Sequence, residues 1–332
     1  MSKKTRGRYV AAKNTGGSKM KKYAFGIDVG GTTCKIGFFE TNGKLIDKWE
    51  IKTNTENNGA AILSDIAQAV DNKLAQEGIS KDDVQGVGIG VPGPVKSNGV
   101  VNRCVNLGWG IVNVEEELGN LTGLKVKAGN DANVAALGEM WQGAAKGCKD
   151  VIMVTLGTGV GGGIVLDGKI VKGTHGAAGE IGHMSVVYDE TATCNCGKKG
   201  CLEQVASATG IVKEAKKFLA ADGTPSTLRN IEGFTAKDVF DEAKKGDEIS
   251  LKTVNRLGEY LGIALGHIAC VIDPDVFIIG GGVSKAGDFL IDTIEKYYVE
   301  KTYHQCRKTP IKLATLGNSA GIYGAAKLVI SE

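Results

Sequence analysis

The chain has 332 residues, 42% of them hydrophobic and 23% charged, an ordinary globular composition with length for roughly two domains and two buried cores. No run of about 18 apolar residues is present to span a bilayer, and the start lacks the apolar stretch of a secretory signal, which excludes a membrane span and leads us to expect a cytoplasmic protein. The formal charge of +3 is misleading as a sign of nucleic-acid binding: the first 20 residues hold Lys3, Lys4, Arg6, Arg8, Lys13 and Lys19 with no acid, and without them the chain stands at −3.

A cationic arm of this kind could touch nucleic acid, but Met20 just before the first strand favours an expression leader or a disordered tail, outside the fold. Tyr23 to Val29, then Gly30-Gly31-Thr32-Thr33, then Lys35 to Phe39 reads as strand, tight turn and strand. Such a turn lets backbone N–H groups approach an anion closely, and its threonines add donors. Asp28, at the strand end, is placed to hold Mg2+ directly or through water. A purely structural hairpin accounts for the same residues equally well.

Ala60 to Glu77 has helical spacing and stops at Gly78; the apolar strand Val84 to Val91 follows and ends on Pro92-Gly93-Pro94, so the first domain is α/β. After a short strand, Lys125 to Ala128, Asn130-Asp131-Ala-Asn133 leads into a helix from Ala132. Asn and Asp favour helix starts, which is one reading. The other is that Asp131 serves as a general base.

Val151 to Leu166 repeats the theme of strand, glycine turn and strand, implying a duplicated unit. Its Gly157-x-Gly159-x-x-Gly162 matches a dinucleotide fingerprint formally, but that turn must open a helix and here a strand continues. No Walker sequence follows any glycine turn. Farther on, Leu257 to Val271 reads as a buried helix, Val276 to Ile279 as a strand, Gly280-Gly281-Gly282-Val283-Ser284 as a third glycine turn, and Ser319 to Ile330 as a small-residue helix. Two glycine hairpins and a third turn suggest a nucleotide held between two domains.

Between these elements lies the densest chemistry. Glu180-Ile-Gly-His183 precedes Cys194-x-Cys196 and Cys201-Leu-Glu203, with Gly197 and Gly200 shaping the tight turns of a knuckle. One imidazole and three thiolates form the closed tetrahedral set of a structural zinc site, leaving no open position for an activated water. Glu180 and Glu203 flank the ligands and could accept hydrogen bonds from a polyhydroxylated substrate. The remaining cysteines, 34, 104, 148, 270 and 306, read as small buried hydrophobes.

Taken in order, Asp28-x-Gly-Gly-Thr32, Val91-Pro-Gly-Pro94, Asn106-Leu-Gly-Trp109, Asn130-Asp131, Leu156-Gly-Thr-Gly-Val-Gly-Gly162, Glu180-x-x-His183, the cysteine knuckle with Glu203, and Gly280-Gly-Gly-Val-Ser284 resemble the ROK (repressor, open reading frame, kinase) family from about Tyr23 to the C-terminus. The resemblance implies an α/β, two-domain actin-like ATPase (ribonuclease H-like) fold with an interdomain cleft. The expected small domain is residues 21–130 plus 317–332, with the C-terminal helix returning to pack on it, and the large one is 131–316. It further implies Asp131 as base, and Asn106, Asn130, Asp131, Glu180, His183 and Glu203 as sugar contacts. Gly30, Gly31, Thr32, Thr33, Gly157, Thr158 and Gly159 would cradle phosphates with Asp28, and Gly281, Gly282 and Ser284 would flank adenosine.

The implied partners are ATP with Mg2+, a structural Zn2+ on His183, Cys194, Cys196 and Cys201, and a sugar phosphorylated at its 6-hydroxyl. Glucose is expected first; N-acetylglucosamine, N-acetylmannosamine, mannose, allose and fructose are alternatives. Repressor members carry a helix-turn-helix ahead of the first glycine turn, which twenty residues cannot form, so no nucleic acid is expected. A sugar sensor lacking catalysis is the other class, and the intact Asp131 argues against it. A homodimer or homotetramer is expected by resemblance alone.

Overall fold

A computed structural model describes residues 21–221 and 223–331. The basic residues 1–20, read as a leader or tail, lie outside the described residues.

The chain opens with β1 (Tyr23–Val29), whose Ala24, Phe25, Ile27 and Val29 are buried, as expected of a strand covered on both faces. It turns back as β2 (Thr33–Glu40) and again as the edge strand β3 (Leu45–Lys52). A single turn, α1 (Glu56–Gly59), leads to α2 (Ile62–Glu77), which ends on a left-handed Gly78. The next strand, β4 (Val84–Val91), lies parallel to β1. A small ribbon of β5 (Val100–Val101) and β6 (Val112–Asn113) brackets the 105–107 turn that carries Asn106. After α3 (Val114–Thr122), β7 (Val126–Asn130) completes a sheet of order β3-β2-β1-β4-β7.

The helix α4 (Asp131–Gln142) leaves this sheet for a second one. There β8 (Val151–Leu156), β9 (Val160–Leu166) and β10 (Lys169–Ile170) are antiparallel. Beyond the His/Cys loop come α5 (Glu203–Ala206), α6 (Ala208–Ala221), α7 (Ala236–Lys244) and the long α8 (Glu248–Ile272). Then β11 (Val276–Gly280), α9 (Asp288–Lys301), β12 (Ile311–Leu313) and the last helix, α10 (Ala320–Ile330), follow. The order β10-β9-β8-β11-β12 repeats the first sheet: three antiparallel strands and then two parallel ones. The duplication read from the glycine hairpins therefore extends to both whole sheets.

Each sheet has its own core. Phe25, Ile36, Val70, Ile89 and Leu118 anchor the first, and Leu257, Leu261, Phe277, Ile279 and Tyr298 the second. The two crossing helices join them. Val134 and Leu137 of α4 and Ala325 and Leu328 of α10 pack with Met153 and Ile278, while Ile322, Ala326 and Val329 of α10 cover Ala24 and Phe39. The crossing is so close that a Cβ on Gly324 would overlap the Val134 carbonyl oxygen, so only glycine fits there. Among the described residues, no helix is long and apolar enough to cross a membrane.

Candidate active site

Asp131 is the first residue of α4, and Asn130 is its N-cap. The Asn130 side-chain oxygen Oδ1 accepts from the backbone N–H groups of Ala132 and Asn133, at 3.1 and 3.2 Å. Its amide nitrogen donates to the Gly93 carbonyl, at 3.2 Å, and to Asp131 Oδ1, at 2.9 Å. Both readings of this segment thus meet in one arrangement, since the cap also aims the acid. The Asn130 amide is already engaged within the protein, so a sugar hydroxyl would have to displace one of these bonds. The Ala132 N–H adds a second donor to Asp131 Oδ1, at 2.8 Å.

Burial pushes the Asp131 carboxyl above the ordinary carboxylate range, and the nearby charge of Asp28 adds to this, outweighing the hydrogen bonds from Ala132 and Asn130. Asp28 is itself raised by burial, with Lys35 pulling the other way. The two are cross-strand neighbours in the β1/β2 hairpin, Lys35 Nζ standing 3.7 Å from Asp28 Oδ2. The start of α10 crowds the same carboxyl, for a Cβ on Gly321 would come within 2.6 Å of Asp28 Cγ.

Asp28, Lys35 and Asp131 share a cavity of ≈ 570 Å³ with Thr155, Gly280, Gly281, Gly282 and Ser284. Another wall is the end of β12 and the segment after it, through Leu313, Ala314, Gly317 and Asn318. The structure thus gathers five of the sequence-derived candidates, Asp28, Asp131, Gly281, Gly282 and Ser284, around one space. Beside Gly282 and Lys285 opens a second, largely apolar cavity of ≈ 340 Å³, floored by Ala208, Ala236, Phe240, Val283 and Ala286.

The first glycine turn is closed by Gly30 N–H on the Thr33 carbonyl, at 3.0 Å, and braced by Thr53 Oγ1 on the Gly30 carbonyl, at 2.7 Å; Gly31 and Thr32 stay exposed. Asn106 is also exposed, its carbonyl 3.8 Å from where a Gly31 Cβ would lie. The second turn is closed by Gly157 N–H on the Gly159 carbonyl, at 3.0 Å. It rests on the start of α6, where Ala208 N–H and the Thr209 hydroxyl donate to the Gly157 and Thr158 carbonyls, both at 2.8 Å. Thr158 and Gly159 line a third cavity, of ≈ 350 Å³, together with Cys194 and Glu203.

Glu203 links that turn to the knuckle. Its Oε1 lies 3.0 Å from Cys194 Sγ and 3.7 Å from His183 Nδ1. His183 Nδ1 is 3.8 Å from Cys194 Sγ, while its Nε2 faces Glu180 Oε2 at 4.0 Å. Cys196 and Cys201 are 3.5 Å apart, and the four candidate ligand atoms all lie within 4.8 Å of one another. A tetrahedral zinc with Zn–S near 2.3 Å needs ligand atoms about 3.5–3.8 Å apart, so the donor set fits that ion. The turn closing the knuckle holds Gly200 at φ +75, where an added Cβ would strike the Val187 carbonyl. Burial pushes the Cys194 thiol up to about 12, so a metal must displace its proton, and binding strengthens as pH rises.

Two contributors went unnoticed in the sequence. Lys35 reads in the sequence only as the start of a strand, although it lies two residues past Thr33 and so on the same face of β2, where both are half-buried. Thr155 offered no local cue.

The ROK family model matches residues 24–332. A glucokinase of Halalkalibacterium halodurans is 44% identical over 313 residues, covering 93% of this chain and 95% of its own. A ROK hexokinase from Thermus thermophilus superposes with a TM-score of 0.78 at 29% identity, covering 92% of this chain and 97% of that one. A ROK glucokinase from Streptomyces griseus, in complex with glucose and AMPPNP, gives a TM-score of 0.71 at 32% identity, covering 93% and 100%. The chain therefore belongs to the ROK family and has its two-domain actin-like ATPase fold.

Proposed function

We propose that this protein is a glucokinase, transferring the γ-phosphoryl group of ATP to the 6-hydroxyl of glucose to give glucose 6-phosphate and ADP. The observation that carries the reading is Asp131: a half-buried carboxyl with raised proton affinity, held at a helix start in the cavity shared with Asp28 and the third glycine turn. A base of raised pKa takes a hydroxyl proton more readily than an ordinary carboxylate does. Its likeness to glucokinases over nearly its whole length supports the choice of sugar.

In this reading residues 21–130 with 317–332 form the small domain and 131–316 the large one, and the cleft between them closes over both substrates to exclude water. Asn106, Glu180, His183 and Glu203 take the sugar hydroxyls. Asn130 acts through Asp131, which accepts the 6-hydroxyl proton as the oxygen attacks the γ-phosphorus and the bond to the β-phosphate oxygen breaks. Gly30 to Thr33 and Gly157 to Gly159 receive the phosphates from either side, with Lys35 adding positive charge beside Asp28. Asp28 offers oxygen to a Mg2+ ion, which when bound neutralises charge on the transferring phosphates. His183, Cys194, Cys196 and Cys201 hold a zinc that pins the loop carrying the sugar contacts. We place the enzyme in the cytoplasm, as a homodimer or homotetramer that binds no nucleic acid.

The apolar cavity beside Gly282 is taken to receive the adenine ring, since base recognition needs a concave, mostly apolar site next to the phosphate path. Filling it with Ala286→Trp is expected to raise KM for ATP by about tenfold or more, with glucose binding unaltered. An unchanged KM for ATP would put the base elsewhere.

The function itself is tested by incubating purified protein and Mg-ATP with glucose, mannose, fructose, allose, N-acetylglucosamine and N-acetylmannosamine, and measuring kcat/KM for each. Glucose is expected to lead the series. A higher value for any other sugar overturns the assignment, and no turnover despite glucose binding leaves a sensor.

A further inference from the structure

Glu139 is a fully buried carboxyl in the last turns of α4, and among the described residues it has no cationic partner within ion-pair distance. Instead it is surrounded by donors. Oε1 accepts from Leu316 N–H, at 2.8 Å. Oε2 accepts from Ala144 N–H, at 2.8 Å, from Thr315 N–H, at 3.1 Å, and from the Thr315 hydroxyl, at 3.3 Å. A buried carboxyl is costly unless such donors satisfy it, so this cluster is a poor choice for simple packing, which a leucine would serve better.

Its location explains the choice. The carboxyl ties the helix that begins with Asp131 to residues 315–316, and the chain on either side of these, Leu313, Ala314, Gly317 and Asn318, is the wall of the cavity that also contains Asp28 and Asp131. Helix α4 and helix α10, which begins just beyond this wall, make the crossings between the two sheets, and they are so close that a Cβ on Gly324 would overlap the Val134 carbonyl oxygen. Glu139 thus acts where a rigid joint between the base-bearing helix and the nucleotide wall is needed.

We propose that Glu139 is a positioning residue for ATP, fixing the 313–318 wall against α4 so that the nucleotide lies at a set distance from Asp131. This rests on the nucleotide occupying that cavity. It distinguishes Glu139 from Asn106, Glu180, His183 and Glu203, the sugar contacts that stand outside α4. The three backbone N–H groups each require an acceptor oxygen, one on Oε1 and two on Oε2, and the Glu139→Gln amide places an NH2 group where at least one of them now points. The wall is then released while the side-chain volume stays the same.

The test measures direct binding of AMPPNP and of glucose, and the KM for ATP, for the wild type, Glu139→Gln and the milder Thr315→Val, which removes only the hydroxyl donor. The expected result is a rise of about tenfold in the AMPPNP Kd and in KM for ATP for Glu139→Gln, and about two- to threefold for Thr315→Val, with the glucose Kd unchanged in both. A lower Tm with unchanged nucleotide affinity in the folded protein makes Glu139 merely structural and overturns the proposal. Equal weakening of glucose and AMPPNP does so too. Should Glu139→Gln fail to fold, Thr315→Val decides: an unchanged KM for ATP overturns the proposal. If the wild type itself binds no AMPPNP, the placement of the nucleotide fails first and is distinguished by that result.

Discussion

Asp131→Asn is expected to lower kcat by about 10²- to 10⁴-fold, the usual contribution of a general base, while glucose still binds. The asparagine oxygen can keep the bonds from Asn130 and Ala132 that orient this side chain, so the loss reflects proton transfer rather than a collapsed helix start. The stability of the variant sharpens the test. Asp131 has a raised folded-state pKa, chiefly from burial and then from the charge of Asp28, so the folded protein binds its proton more tightly than the unfolded chain does. At neutral pH the ionised carboxylate therefore destabilises the fold, and this cost is relieved as pH falls through the raised folded value toward the unfolded one. The asparagine variant lacks the cost, and its Tm at neutral pH is expected to match or exceed that of the wild type.

The same shift sets the acid limb of kcat/KM in the free enzyme, which is expected above the pH of an ordinary aspartate. A variant that retains activity within a few-fold of the wild type would remove Asp131 from the role of base, whatever its Tm.

Cys196→Ser is expected to abolish stoichiometric zinc, read by atomic spectroscopy, and to weaken glucose binding by about 10- to 100-fold. The coupling runs through the His183 ring. Nδ1 is the nitrogen near Cys194, and Nε2 is left facing Glu180, so a metal on the first nitrogen orients the second toward the sugar side. Glu203 belongs to the same unit, with one oxygen against Cys194 and the other 3.0 Å from where a Cβ on Gly159 would lie. Releasing the knuckle thus disturbs sugar contacts and the second glycine turn together. A metal present at a thousand times its Kd adds about 4 kcal/mol to folding, so removal by a chelator should lower Tm by roughly 10 °C. Zinc-free protein with unaltered glucose affinity and Tm would reduce these four residues to an unrelated His beside free thiols.

Much of this molecule is legible in its sequence, because the signals are local. β1, β4 and β11 are short apolar runs bounded by glycine or proline, and their length and those stops favour buried strands over helices. The edge strand β3 escaped, since its solvent side admits Asp47 and Lys48 beside Trp49 and its pattern is weak. Helix α8 begins at Glu248, nine residues before the expected Leu257, because its start is set by the Asp247 cap, which receives Ser250 N–H, rather than by an apolar stripe. α6 and α7 lie among polar residues that hide their periodicity, though the Thr235 capping box marks the second.

What the sequence determined by itself was the inventory of chemistry: three glycine turns, an acid at a helix start, and a His/Cys knuckle whose spacing reflects a ligand set closed within one loop. What only the tertiary structure decided was how these groups alter one another. The raised proton affinity of Asp131 is a sum over surrounding atoms and the Asp28 charge, delivered by another strand. Lys35 gains a role because the β1/β2 register sets it opposite Asp28. Glu139 finds Thr315 across 176 residues of chain. Desolvation and long-range hydrogen bonds depend on distances in space, and no local pattern of residues encodes them.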